Sequence, residues 1–315
     1  LESLFGRHHP ELSVPLYNLA FSLIEQDRPQ ESLEFSARGI EIITAADGEL
    51  SPRLIPLLDY RALALARMMR WRDAQEYYPA LTRAMAASIG PSVERTLAMN
   101  LRAAEIDLML GELEACRQKL TSVKGHLEPR ARSEVHDQWL ALSLACAKTR
   151  GEKVNVRADI AKVLATHGSP ADRPSLVLAA LDFDREVGTA PALAKSIARA
   201  AALPKSVLDR NLLYGRFVLV EALVQIGEDQ KATQHLAKVL ELSVQRTGLR
   251  FASPRIAATA IELAARTQGT PTAATLANDS VRDLSTMEAQ CGRDEWQQWR
   301  KQVERAQRLA LRSNG

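Results

Sequence analysis

The side chains able to do chemistry are few and scattered. Six histidines (His8, His9, His126, His136, His167 and His235) and three cysteines (Cys116, Cys146 and Cys291) are the candidate ligands and nucleophiles. Only His8 and His9 are neighbours, and they stand directly before Pro10, where turn packing explains them better than a metal. The cysteines are odd in number and lack paired-ligand spacing, so neither a zinc site nor a disulfide framework is expected. No Gly-rich phosphate loop, HExxH, nucleophile elbow or kinase signature set is present. The expectation is a chain with no catalytic residue, no cofactor and no metal.

The elements that carry these residues are expected to be helices. Of 315 residues, 46% are apolar and 25% charged, while aromatics supply 5% and no alternating Val/Ile/Thr stretches occur. A chain of this length suits a repeat array or two domains better than one core. The 41 basic residues barely exceed the 38 acidic ones and are spread along the chain, so no nucleic acid is expected as partner. No apolar run approaches the ~18 residues of a membrane span, and LESLFGRHHPE is not a secretory signal, which argues against direct membrane insertion of this fragment.

Internal repetition is the dominant signal. Gly6, Gly48 and Gly90 recur every 42 residues; Ala20, Ala62 and Ala104 recur with them, and twelve residues further on stand Ser32, Ala74 and Cys116. Two small residues per unit are what a close-packed helix pair needs. Pro10 and Pro52 mark helix starts. Short turns are read at Gln26-Asp27-Arg28-Pro29, Met69-Arg70-Trp71 and Leu110-Gly111-Glu112-Leu113.

The segment FGRHHPELSVPLYNLAFSLIEQDRPQESLEFSARGIEI and its next two copies resemble the long tetratricopeptide (TPR) units of kinesin light chains, a style also found in bacterial TPR segments fused to Ser/Thr protein kinases. IGEDQKATQHLAKVLEL resembles the second half of a unit, with Gly227 and Ala232 spaced like Gly111 and Cys116, and Gly269 and Ala274 repeat that spacing. Between them the pattern weakens: Gly151 and Gly188 mark turns, but Val156 and Leu193 replace the small residue. The resemblance implies an all-α, right-handed α-solenoid of about seven TPR-like helix pairs with a C-terminal capping helix. The expected division is 1–6 as the end of an upstream repeat, 7–128 as three well-formed units, 129–203 as two degenerate pairs, 204–290 as two further pairs, and 291–315 as capping helix and tail. Trp296 and Trp299 would cap the last repeat, and Trp71 would pack between paired helices.

In TPR proteins the first helix of each pair lines the concave groove, which implies a protein or peptide ligand there. In the first unit Leu16, Leu19, Ala20 and Leu23 read as the packed face, leaving Tyr17, Phe21 and Ile24 towards the groove. Tyr17 and Phe21 then form either a peptide-binding strip or a face covered by an adjoining helix. Asn18 matches an asparagine with which this family can hold a ligand's backbone. Asp59, Tyr60, Leu63 and Arg67 follow in the second unit and Arg102 and Glu105 in the third, although Asp107 falls on the packed face. The mixed charge suggests a partly acidic or amphipathic ligand. The expected role is a non-catalytic binding module, the sensory or scaffolding part of a larger bacterial signalling protein such as a receptor-like Ser/Thr kinase. Its alternatives are a regulatory domain of a transcription activator and a solenoid enzyme. The compartment would be periplasmic for the sensor of a membrane-anchored kinase and cytoplasmic otherwise. Leu1 to Gly6 align with Ile43 to Gly48, so further residues, with at least one more helix pair, are expected upstream.

Overall fold

The computed structural model describes residues 4, 6–49, 51–127, 133–149, 156–166, 173–209, 215–285 and 293–313. His167, Cys291, Gly151 and most of residues 1–6 lie outside the described residues, as does the side chain of Val156. Among the described residues all regular structure is helical. Pairs joined by short turns follow one another: α1 (Ser13–Glu25) with α2 (Pro29–Asp47), α3 (Leu54–Arg67) with α4 (Trp71–Gln75) and α5 (Tyr78–Ile89), and α6 (Glu94–Met109) with α7 (Leu113–Lys124). Next come α8 (Glu134–Thr149) with α9 (Val156–Thr166) and α10 (Pro174–Val187) with α11 (Ala190–Ala201). After the short α12 (Lys205–Leu208), α13 (Arg216–Gln225) pairs with α14 (Asp229–Thr247) and α15 (Pro254–Thr267) with α16 (Thr270–Leu284); α17 (Arg293–Ser313) closes the series. First helices stack on first helices, α1 on α3, α6 on α8, α8 on α10, α10 on α13 and α13 on α15, which is the arrangement of a solenoid.

The turn within a pair is set by one backbone conformation. Asp27, Met69, Gly111 and Gly227 have φ of 59°, 58°, 74° and 77°, the left-handed region that favours glycine. The next N–H reaches back five residues, from Arg28 to the Leu23 carbonyl (2.8 Å), Arg70 to Leu65 (2.9 Å), Glu112 to Asp107 (2.8 Å) and Glu228 to Leu223 (2.9 Å). That bond reverses the chain and starts the second helix at once. Its fourth residue is then forced against the first helix: Ser32, Ala74, Cys116 and Ala232 are wholly buried, as are Ala20, Ala62 and Ala104 opposite them. In the first pair the contact also carries a hydrogen bond, Ser32 Oγ donating to the Ala20 carbonyl at 3.0 Å.

Two later turns differ from the sequence reading. Gly269 (φ 89°) directly precedes α16, so this turn is one residue shorter, and Ala273 rather than Ala274 occupies the buried place. Gly188 is extended (φ −79°, ψ 165°), not left-handed; Thr189 caps α11 instead, its hydroxyl accepting from the Ala192 N–H at 3.4 Å. The second helix of the second unit is broken into α4 and α5 because Pro79 has no N–H to continue the ladder and its ring would meet the carbonyl of Gln75.

α13 is buried on nearly every side, including Phe217, Val218, Leu219 and Val220, as befits a helix enclosed by neighbours. At the far end the rings of Trp296 and Trp299 pack at a tilt with centroids 4.7 Å apart, and Trp299 Nε1 donates to Ser280 Oγ at 2.9 Å, so α17 covers α15 and α16 as the sequence suggests. The stack also curves back on itself. Arg246, near the end of α14, donates through Nε to both oxygens of Asp27 (2.7 and 2.8 Å), a residue 219 positions away in the α1–α2 turn. No helix among the described residues is long and apolar enough to cross a membrane.

Candidate functional site

Curvature turns the first helices inward around a cavity of about 740 Å³. α1, α3, α6 and α8 line it, Trp71 and Tyr78 reach it from the second helices, and Ser206, Asp209 and Arg246 close it from the other side. The closure is a cluster of charges. Arg67 lies 3.5 Å from the Asp27 carboxylate already held by Arg246, and donates to the Ile24 carbonyl at 3.2 Å. Arg246 also donates to the Asp209 carbonyl at 2.5 Å, and the Asp209 side chain holds Arg216 at 2.6 Å.

Between α8 and α10 the wall recedes into a second cavity of about 170 Å³, sharing Glu105, Ala141, Leu142 and Ser175 with the first. Its surface is mostly apolar, built from Leu142, Leu144, Leu178, Phe183 and Val207 with Ala141, Ala145 and Ala179 between them. Lys148 and Asp182 border it as an ion pair. Lys148 also meets Glu186 at 3.1 Å, Arg185 meets Asp182 at 3.1 Å and Glu186 at 2.8 Å, and Arg255 meets Glu221 at 2.5 Å and Asp182 at 3.5 Å. Three cations and three carboxylates thus balance one another across four helices. Burial alone would raise the Asp182 pKa, but Lys148, Arg255 and Arg185 outweigh it and hold the carboxyl well below the usual range.

Of the residues expected on the groove, Leu63, Arg67, Arg102 and Glu105 line the large cavity. Tyr17, Asn18, Phe21, Asp59 and Tyr60 do not. Tyr17 packs beside Ile43, Leu54 and Leu57, Asn18 is exposed, and the half-exposed Phe21 sets its ring 5.6 Å from that of Tyr60. Asp59 is buried and accepts from Arg102 Nη1 at 2.8 Å; burial pushes its pKa up, with Arg102 and Arg95 pulling against it. The face assigned to α1 needs one exchange: Ile24 is fully buried and Leu19 is 46% exposed. α3 as well as α2 packs on α1, and Ile24 belongs to the core cluster that holds Leu33, Ala62 and Leu65. Asp107 is on the packed face as expected, held there by Lys119 and by Gln75 Nε2 at 3.0 Å.

Several other reactive groups among the described residues have structural partners. His9 caps the short helical turn Pro10–Leu12, its Nδ1 accepting from the Glu11 N–H at 3.3 Å. The His235 ring meets Arg216 at 3.0 Å, and burial followed by that guanidinium lowers its pKa. Cys116 and Cys146 are free and buried but mutually in reach, a pairing their sequence spacing does not reveal; burial and Cys146 push the Cys116 thiol up. Among the described residues no group of three His, Cys, Asp or Glu side chains is placed to hold a metal. Sequence reasoning missed the closing residues Asp27, Asp209 and Arg246 and, apart from Glu105, the lining of the inner cavity. The local signal for Asp27 is that it stands where Gly111 and Gly227 stand, a non-glycine kept in a glycine conformation.

Neither a protein-family model nor a curated protein matches the chain. Among solved structures, the chain is similar to a crystal structure of nearly identical TPR-like repeats of kinesin light chain type from Podosopora anserina, with 16% identity over 75% of this chain and 97% of that one and a TM-score of 0.39.

Proposed function

We propose that the chain is a non-catalytic module that binds a segment of another protein in the cavity enclosed by its first helices. The observation that carries this reading is the cavity itself: about 740 Å³, within the usual range of ligand clefts, and walled by consecutive units. Its ionisable residues support binding over catalysis, because Arg67, Arg246, Asp27 and Asp209 are engaged in ion pairs rather than poised over a reacting atom. The proposed contact residues are Leu63, Arg67, Arg102 and Glu105, with Glu134 and Gln138 of α8 facing them. The narrower reading, a sensory or scaffolding part of a bacterial signalling protein such as a receptor-like Ser/Thr kinase, is supported by the resemblance of the repeat sequences alone.

Panning a randomised display library of twelve-residue peptides over the full chain tests the proposal. Ala141, half-buried on α8, borders both cavities, and Ala141→Trp would fill the space between them. Enriched peptides should bind the parent chain and lose at least ~10-fold in affinity for the variant, whose helical circular dichroism should be unchanged. Peptides binding both proteins equally would place the interaction elsewhere and overturn the reading.

A further inference from the structure

We infer that the occupant of the cavity is a peptide segment carrying one large apolar side chain flanked by lysine or arginine. The apolar side chain would seat between α8 and α10 and the basic residues would lie against the outer wall. The inference rests on the peptide-binding reading above and adds the chemistry of the ligand.

Size and lining define the anchor. An apolar cavity of about 150 Å³ holds a benzene-sized group. The inner cavity, at about 170 Å³, therefore admits one aromatic or long aliphatic side chain against Leu142, Leu178, Phe183 and Val207. Lys148 at its border does not make it a carboxylate receptor. Asp182 and Glu186 already neutralise that ammonium, and an incoming carboxylate would have to displace them.

Charge defines the flanks. The lining residues of the large cavity include five carboxylates, those of Glu25, Asp27, Glu105, Glu134 and Asp209, against three arginines. Each arginine is committed within the fold, Arg67 and Arg246 to Asp27 and Arg102 to Asp59 behind the wall, and Asp27 and Asp209 are committed in turn, to those two arginines and to Arg216. The carboxylates left facing a ligand are those of Glu25 and Glu134, both solvent-exposed. The potential facing a ligand is thus negative, which attracts basic residues and repels acidic ones. Of the partly acidic or amphipathic ligand expected from the mixed charge, this keeps the amphipathic form, because Arg67 and Arg102 are engaged in pairs within the fold.

The sequences recovered from the peptide library decide the matter. Phe, Trp, Leu or Met should be enriched at one position with Lys or Arg within three residues on either side. Changing that apolar residue to Ala in a synthetic peptide should weaken binding about 10- to 100-fold, the effect of losing one buried large side chain. Ala145→Trp, which fills the inner cavity, should abolish the apolar preference, and Glu25→Lys with Glu134→Lys should abolish the basic one. Enrichment of Asp or Glu, or apolar anchors indifferent to both Ala145→Trp and the peptide substitution, would overturn the inference. If those peptides were still blocked by Ala141→Trp, the cavity would remain the binding site and only the ligand chemistry would fall. Peptides insensitive to Ala141→Trp would remove both.

Discussion

The first three units and the stretch from α8 to α13 solve the same packing problem by different means. In the first three, wholly buried Ala20, Ala62 and Ala104 face Ser32, Ala74 and Cys116, so helix backbones approach through small side chains. In the α8–α9 and α10–α11 pairs that register lapses and ion pairs tie the helices together: Arg173 to Asp137 (2.7 Å), Arg157 to Asp184 (2.7 Å) and the six-residue network around Asp182. Ser196 of α11 adds a hydrogen bond of its own, donating to Asp184 at 2.6 Å. Small residues give close contact and leave no room at the crossing. It is between two helices of this second kind, α8 and α10, that the inner cavity lies. A repeat can therefore continue after its sequence signature fades, and the inner cavity is found where ion pairs have taken the place of the small-residue contacts.

The largest way to break this comparison is Asp182→Asn, which leaves Lys148, Arg185 and Arg255 without their shared carboxylate. Removing one partner of a buried pair costs about 3–5 kcal/mol, measurable by urea denaturation at neutral pH. Because the folded pKa of Asp182 is depressed, its stabilisation is present above the unfolded value of about 4 and is lost as pH falls below it. Acidification through that window should destabilise the parent chain more than the variant. A neutral-pH cost as small as that of a surface pair would show that the middle units are held by apolar packing after all.

Ala62→Leu comes next, since the crossing has no space for a larger side chain; overpacking should cost about 1–3 kcal/mol in the same assay. A cost near zero would mean that the first units are no tighter than the middle. Smallest is Asp59→Asn, within about 1 kcal/mol of the parent, because Arg102 opposite it can turn to solvent. Here the sign is opposite to that of Asp182. Burial raises the Asp59 pKa, so its contribution is favourable below the unfolded value and is lost as pH rises through the folded one. The variant should lack that loss, which a pair of melting curves at pH 4 and pH 7 would reveal.

These differences track what the sequence could express. The small residues and left-handed turns are local and periodic, so Ala20, Ala62, Ala104 and Gly111 declare the helix pairs directly. A helical wheel tells which residues share a face but not which of two neighbours that face meets, which is why Leu19 and Ile24 of α1 exchange roles. Ala273 is displaced from Ala274 by a turn one residue shorter, invisible when spacing is measured from Gly269. In the site, Leu63, Arg67, Arg102 and Glu105 could be named because they fall on first helices in the readable units. Phe183 and Val207 could not, since they lie where the period lapses. Nothing local relates Arg246 to Asp27, because only the accumulated curvature of the intervening units brings them together.

That meeting changes how the α1–α2 pair is held. A linear stack is a chain of nearest neighbours, so each unit is supported by the units beside it in sequence. Here the α1–α2 pair has a further partner in α14, clamped by a guanidinium that is 3% exposed. Loosening the pair means also parting the Arg246–Asp27 bond, so an opening that would ordinarily travel along the array one unit at a time must begin at two distant places together. The array therefore behaves less like a zipper than like a closed bracelet, in which strain applied to the first unit is felt at once in the sixth.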